Sequence, residues 1–289
     1  SRSGCHCERS EATLSAGDCF AALTMTTTVV MILPIADDNS DRTSPPIVTY
    51  VLIALNVFVF AFLQGMGSND KFTYAFSTVP QEILTGQDVV TSDRWIQDPL
   101  SGRVFRVPGL QPTPISVYIT LLTSMFMHGG IAHLAGNMLF LWVFGDNVEN
   151  ALGRVRFIVF YLLCGVLASL AHVYTTAESR GNLLIPSLGA SGAISGVLGA
   201  YLLLFPQKRV VVILLRFFTE VPAIVAIGVW FLFQVINGIG MLGLGSRAGG
   251  GVAYAAHIGG FIAGLALVMF FAGKQPQRQR RPQRAWWAD

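Results

Sequence analysis

Between Ile47 and Ala272 the chain holds six apolar runs separated by polar stretches: Ile47–Leu63, Val117–Phe144, Phe157–Tyr174, Ser191–Phe205, Val221–Ile239 and Val252–Ala272. Crossing a hydrocarbon core about 30 Å thick takes roughly 17–25 helical residues. Inside that core each backbone N–H and C=O must find a partner without water, which a helix does within a single segment. The runs therefore predict an all-α, polytopic membrane protein, a bundle of six transmembrane helices. Composition agrees. Hydrophobic residues make up 53% and charged residues 12%, where soluble domains carry about 25% charged residues. The expected organisation is an N-terminal tail over residues 1–44, a membrane domain over 45–273 and a basic tail over 274–289.

The stretches between the runs are read in the same terms. Gly65 to Pro114 is polar and broken by proline, aspartate and glycine, with room for a short amphipathic helix but not for a span. Val210–Phe218 is apolar but short and reads as a re-entrant or interfacial piece. Residues 1–30 show no apolar periodicity and make a poor signal peptide; they read as upstream read-through or a disordered extension, with a start at Met31. Cys5, Cys7 and Cys19 lie in that tail and Cys164 in the third run. One C-x-C without a second pair of ligands is a weak metal signal, so neither a metal nor another cofactor is expected.

Orientation follows from Lys and Arg in the short loops. Arg154, Arg156, Lys208, Arg209 and the tail's Lys274, Arg278, Arg280, Arg281 and Arg284 fall on one side, against Arg180 and Arg247 on the other. With six spans, both termini face the cytoplasm, while the long first loop and the start of the Ser191 helix face outward. The net charge of +3 is small and concentrated at the C-terminus, which speaks to orientation and not to nucleic acid. Trp286 and Trp287 read equally as headgroup anchors or as part of a solvated tail. A short architecture without a large soluble domain suggests a bacterial inner (cell) membrane.

Polar residues inside the runs are the functional candidates, because they are costly in lipid. Ser191 opens the fourth run between Gly189-Ala190 and Gly192. A helix N-terminus offers free N–H groups and a positive dipole end, which favour charge developing on a substrate oxygen. Alone, the serine reads more readily as a small packing residue; Ser195, one turn on, is its rival as nucleophile, with Ser191 preferred for its place at the helix end between two glycines. His257 is the one histidine of the sixth run; a serine with a histidine in reach makes a nucleophile and its base. Gly260 and Gly264 follow His257 in a G-x-x-x-G strip that permits close helix packing. His133 and Asn137 are four apart and share a face, so two donors point one way. Such donors could stabilise an oxyanion or bond neighbouring helices. His128 and His172 read as structural, His128 ordering water or the adjoining loop. No acid lies mid-span, so a Ser–His dyad is simpler than a triad.

Taken in order, His133-x-x-x-Asn137, Gly189-Ala190-Ser191-Gly192 and Ala256-His257 with Gly260-x-x-x-Gly264 resemble the rhomboid family of intramembrane serine proteases. The resemblance covers roughly Pro45 to Gly273. It implies Ser191 as nucleophile and His257 as general base and acid, with His133, Asn137 and the Ser191 backbone N–H lining the oxyanion hole. It also implies Glu149 as a structural acid, a membrane-dipping first loop, and a substrate gate made by the fifth helix and the Gly243–Gly251 loop. Substrates would be single-span membrane proteins held in the lipid bilayer, cut where their helix unwinds. Two positions depart from the family pattern. Tyr118-Ile119-Thr120 stands where many members carry Trp-Arg, and Ser195 where some carry a Tyr against the histidine. The runner-up reading is a rhomboid-like protein that binds membrane clients without cutting them. A small transporter using His133, Asn137 and His257 as a relay would favour internal repeats, and none is seen. Nothing in the sequence specifies the oligomeric state.

Overall fold

A computed structural model describes residues 32–97, 102, 104–214, 217–243 and 254–272. The extension 1–30, its three cysteines, Arg216, Arg247, most of the Gly243–Gly251 loop, the basic tail and Trp286–Trp287 lie outside the described residues. The described chain is mostly helical. Its principal helices are α1 (Ile47–Phe58, extended by a π turn over Val59–Leu63), α2 (Ile131–Leu152), α3 (Arg154–Glu178), α4 (Ser191–Leu204), α5 (Ala223–Gly243) and α6 (Tyr254–Phe271).

By length and apolarity, α3 and α6 can each cross a bilayer, and a third span results if Val117–Phe126 and α2 are counted together. The apolar helices Ile47–Leu63, Ser191–Leu204 and Ala223–Ile239 are shorter. The second run differs from expectation: it is not one straight span over 117–144. It bends by 81° between Phe126 and Ile131, where Gly129-Gly130 interrupts the helix. The Gln64 side chain holds the break. Its amide donates to the His128 carbonyl and accepts from the His128 N–H, both at 2.9 Å, which replaces the bonds that the helix gives up.

Two other segments also differ. Val210–Phe218, expected as a re-entrant or interfacial piece, lies within a β-hairpin of β4 (Arg209–Leu214) and β5 (Phe217–Pro222). The third strand is β1, Ile32–Asp37, which lies inside the segment expected as an N-terminal tail. It pairs antiparallel with β4, Ile32 opposite Leu214 and Asp37 opposite Val210, in the order β1-β4-β5. The β-branched run Arg209-Val-Val-Val-Ile-Leu214 suits a pleated, half-buried surface, with Val210 and Val212 buried. The first loop holds short helices Asp70–Ala75 and Pro80–Thr85 and the hairpin β2 (Arg94–Gln97) with β3 (Val104–Val107).

Asp37 docks the N-terminal strand on the helices. Its carboxylate accepts from Tyr201 Oη on α4 and from Asn147 Nδ2 on α2, each at 2.6 Å. Lys208 in turn donates to Asn147 Oδ1 at 2.6 Å, and Arg42 pairs with Asp146 at 2.9 Å. Burial pushes the Asp37 carboxyl up to about 7; the Tyr201 hydrogen bond opposes that shift, Asp146 adds to it, and Lys208 and Asn147 oppose it.

Helix α4 stands at the centre, with Gly192 through Tyr201 buried. Its 14 residues span only ~21 Å at 1.5 Å per residue, less than a hydrocarbon core. Glycines let α6 lie directly on it. A Cβ on Gly260 would overlap the Gly192 carbonyl oxygen, and one on Gly264 the Gly196 carbonyl oxygen. On the far side, a Cβ on Gly192 would come within 2.7 Å of Ala168 Cβ on α3. The bundle therefore packs backbone on backbone at the level where Ser191 begins its helix.

Glu149 fixes α1. Pro46 precedes that helix and offers no side-chain cap. Glu149 on α2 accepts from the Val48 N–H at 3.0 Å, and from the Thr49 N–H and hydroxyl at 2.7 and 2.8 Å. A carboxylate borrowed from another helix thus satisfies buried N–H groups that α1 cannot bond itself.

Candidate active site

The fold brings Ser191 and His257 together. Ser191 is the first residue of α4, reached through Gly189 at φ +118. A residue with a side chain rarely adopts that conformation, and here it would also strike the His133 ring, 2.8 Å from a Cβ placed on Gly189. His257 sits in the first turn of α6. The Ser191 Oγ to His257 Nε2 distance is 2.8 Å, within the 2.6–3.2 Å that proton transfer needs. The contact follows from the glycine packing below it, because Gly260 lies one turn from His257 and meets the residue next to Ser191.

The histidine's other nitrogen has a partner that sequence reasoning missed. His257 Nδ1 lies 2.8 Å from Gln234 Oε1 on α5. An amide oxygen only accepts, so this contact suits the tautomer with its proton on Nδ1, whose bare Nε2 can accept the Ser191 hydroxyl. Two rings flank the imidazole, Trp230 of α5 at 6.1 Å and Tyr254 of α6 at 6.5 Å between centroids. A polar Gln234 within a largely apolar run was the signal that could have found the contact.

Ser195 is differently placed. It is fully buried, and its hydroxyl donates to the Ser191 carbonyl at 2.6 Å. This is the back-bonding that serine commonly makes inside helices, and it turns Ser195 away from the imidazole.

The donor pair is brought close as well. His133 Nδ1 accepts from the Gly129 N–H at 3.3 Å, so the proton belongs to Nε2. That nitrogen lies 2.9 Å from the point where a Gly189 Cβ would stand, and Ser191 Oγ lies 3.7 Å from the same point. Asn137 donates to the His133 carbonyl at 3.0 Å; among the described residues its amide makes no bond to Ser191. The Ser191 N–H sits at the open end of α4, where helix N–H groups lack intrahelical partners. A cavity of about 20 Å³ lies beside Ser191, lined by Ser124, Ser169, Ser187, Gly189, Ser191 and Ala256 among others; it has room for one water. His128 is buried against His133, ring centroids 5.3 Å apart, with neither ring nitrogen bonded to protein. The loop beside His128 is ordered by Gln64, not by its own imidazole.

The first loop is anchored without a Trp-Arg pair. Thr78 and Ser187 exchange backbone bonds at 3.0 and 2.7 Å, and the Thr78 hydroxyl joins Ser124 Oγ and the Thr120 carbonyl, both at 2.9 Å. Ser124 in turn accepts the Gly189 N–H on its carbonyl at 2.9 Å, so the loop, the bend and the approach to Ser191 form one hydrogen-bonded unit. Among the described residues no group of three or more His, Cys, Asp or Glu could hold a metal ion.

Comparison with known proteins gives a family match. Residues 116–274 match the model of the Rhomboid domain. Rhomboid protein 1, mitochondrial, of Saccharomyces cerevisiae is 34% identical over 219 residues, 74% of this chain and 60% of the yeast protein. Presenilin-associated rhomboid-like protein, mitochondrial, of Mus musculus is 33% identical over 183 residues, 58% of this chain and 44% of the mouse protein. Rhomboid protease GluP of Bacillus subtilis is 30% identical over 222 residues, 76% of this chain and 34% of that protein. The alignments thus span between a third and three fifths of each relative's length.

Proposed function

The chain belongs to the rhomboid family, and on that premise we propose that it is an intramembrane serine endopeptidase, cutting single-span membrane proteins at unwound segments. The observation that carries the reading is the 2.8 Å contact between Ser191 Oγ and a His257 Nε2 left free to accept a proton. Ser191 attacks the scissile carbonyl carbon as its proton passes to Nε2. The oxyanion so formed accepts from the Ser191 N–H, from His133 Nε2–H and from the second amide hydrogen of Asn137. His257 then protonates the leaving amine, the C–N bond breaks, and an ester links the substrate acyl group to Ser191. Water, deprotonated by His257, hydrolyses that ester and restores the serine. The substrate must be extended at the cut, because a helical carbonyl is already hydrogen-bonded and shielded. The chemistry needs neither metal nor cofactor.

In this reading residues 45–273 form the protease domain, six helices cross or enter the bilayer with both termini on one side, and residues 274–289 trail as a basic tail. The α4 helix is shorter than the membrane is thick, which supports chemistry below the surface. The bacterial inner membrane expected from architecture gains no support from the yeast and mouse relatives, whose names place them in mitochondria. A mitochondrial membrane is the compartment those names point to. The test is cleavage of a single-span reporter by the purified protein in liposomes. Cutting lost in Ser191→Ala and in His257→Ala, and kept in Ser195→Ala, is the expected outcome. A folded wild type that binds reporters but cuts none would replace this reading with a client-binding role.

A further inference from the structure

We propose that Gln234 is a positioning residue for His257, a neutral acceptor that holds the imidazole in the one tautomer able to take a proton from Ser191. The kinetic part rests on the protease reading; the structural part does not. Gln234 lies in the fourth turn of α5 between Phe233 and Val235 and is 5% exposed. A buried amide oxygen without a donor is costly, and the donor that meets it is His257 Nδ1 at 2.8 Å. A neutral imidazole carries one proton, and either nitrogen can hold it. An acceptor fixed at Nδ1 takes that freedom away, leaving Nε2 as the base facing Ser191 Oγ.

In serine hydrolases built as triads a carboxylate orients the histidine. No carboxylate fills that place here among the described residues. The titratable groups near His257 are the imidazoles of His133 and His172, from α2 and α3, and the phenol of Tyr254 on its own helix. A glutamine supplies the orientation of a third member without a negative charge, in a site where an unpaired carboxylate would be expensive to bury. Trp230, one turn before Gln234, lies across the same ring, so α5 holds the imidazole by a hydrogen bond and by an aromatic face together.

The test combines a spectroscopic and a kinetic readout on the full chain in detergent micelles. Nitrogen-15 spectra of histidine-labelled protein, with His257→Ala used to assign the His257 signals, report which ring nitrogen is bare. The wild type should show a protonated Nδ1 and a bare Nε2. Gln234→Leu should lose that preference, and kcat on a single-span reporter should fall roughly tenfold, the factor equivalent to about 1.4 kcal/mol, with KM changed little. Gln234→Glu keeps the shape and the acceptor but adds charge. It should keep the tautomer and move the acid limb of the pH–kcat profile to higher pH by about one pH unit or more. A purely structural role for Gln234 would not produce that shift. A Gln234→Leu protein with the wild-type tautomer and pH profile overturns the proposal, whatever its stability. A wild type that cuts nothing, yet shows a Gln234-dependent tautomer, upholds the positioning role and removes the protease reading instead.

Discussion

Gly260→Ala should separate the nucleophile from its base without removing a polar atom from either. A Cβ at position 260 would stand 3.0 Å from the Gly192 carbonyl carbon, would overlap the carbonyl oxygen outright, and would lie 3.2 Å from Ala168 Cβ. The obstruction is backbone on one side and a rigid methyl on the other, so no flexible side chain can yield. Ordinary contact requires α6 to move off α4 by roughly 1 Å, and a misplacement of that size costs on the order of a hundredfold in rate. The Ser191–His257 distance of 2.8 Å would open past hydrogen-bond range. Overpacking should also cost about 1–3 kcal/mol of stability, so the protein should remain folded but melt earlier. The assay is reporter cleavage in liposomes at a temperature well below the variant's melting midpoint. Gly136→Ala is the control, because a Cβ there meets nothing within 4 Å. A Gly260→Ala protein within twofold of wild-type kcat would refute the claim that the glycine contact sets the dyad distance.

Three further outcomes are expected. His133→Ala should lower kcat on the order of a hundredfold with a smaller effect on KM, read by steady-state cleavage, because it removes a donor aimed beside Ser191. Glu149→Gln should lower the melting midpoint at neutral pH, by about 1–3 kcal/mol of stability, since a neutral amide can no longer accept on both oxygens from Val48 and Thr49. Asp37 has a folded pKa raised from 3.8 to about 7, so the folded state holds a proton that the unfolded state releases. The sign follows: its contribution is fully present below about pH 4 and is lost as pH rises through about 7. Melting midpoints measured from pH 5 to 8 should fall with a slope that Asp37→Asn reduces.

Much of this arrangement was readable in the residues, and what was not has physical reasons. The apolar runs located the principal helices because a span needs a long, nearly uncharged segment. The 81° bend after Phe126 falls at Gly129-Gly130, a local break signal inside an apolar run, but its angle is held by Gln64, a side chain far away in the chain. The hairpin of β4 and β5 reads as merely apolar until β1 supplies its third strand, a pairing that local periodicity does not encode. Ser191, His257, His133 and the glycines stand out because polar or backbone-exposing residues in lipid need a reason. Gln234 meets the same criterion but stands out less than a histidine, since an amide does not titrate. Ser191 and Ser195 are both small hydroxyls on one helix, and the sequence favours Ser191 for its place at the helix end between two glycines. In three dimensions the Ser191 hydroxyl faces an imidazole and the Ser195 hydroxyl its own backbone.

The most direct measurement of the central claim is the site of covalent labelling by a serine-reactive fluorophosphonate, mapped by peptide mass spectrometry on the purified protein. If His257 activates Ser191, the adduct appears on Ser191, persists in Ser195→Ala and disappears in His257→Ala although that variant stays folded. An adduct on Ser195, or labelling of Ser191 that is indifferent to His257, would contradict it.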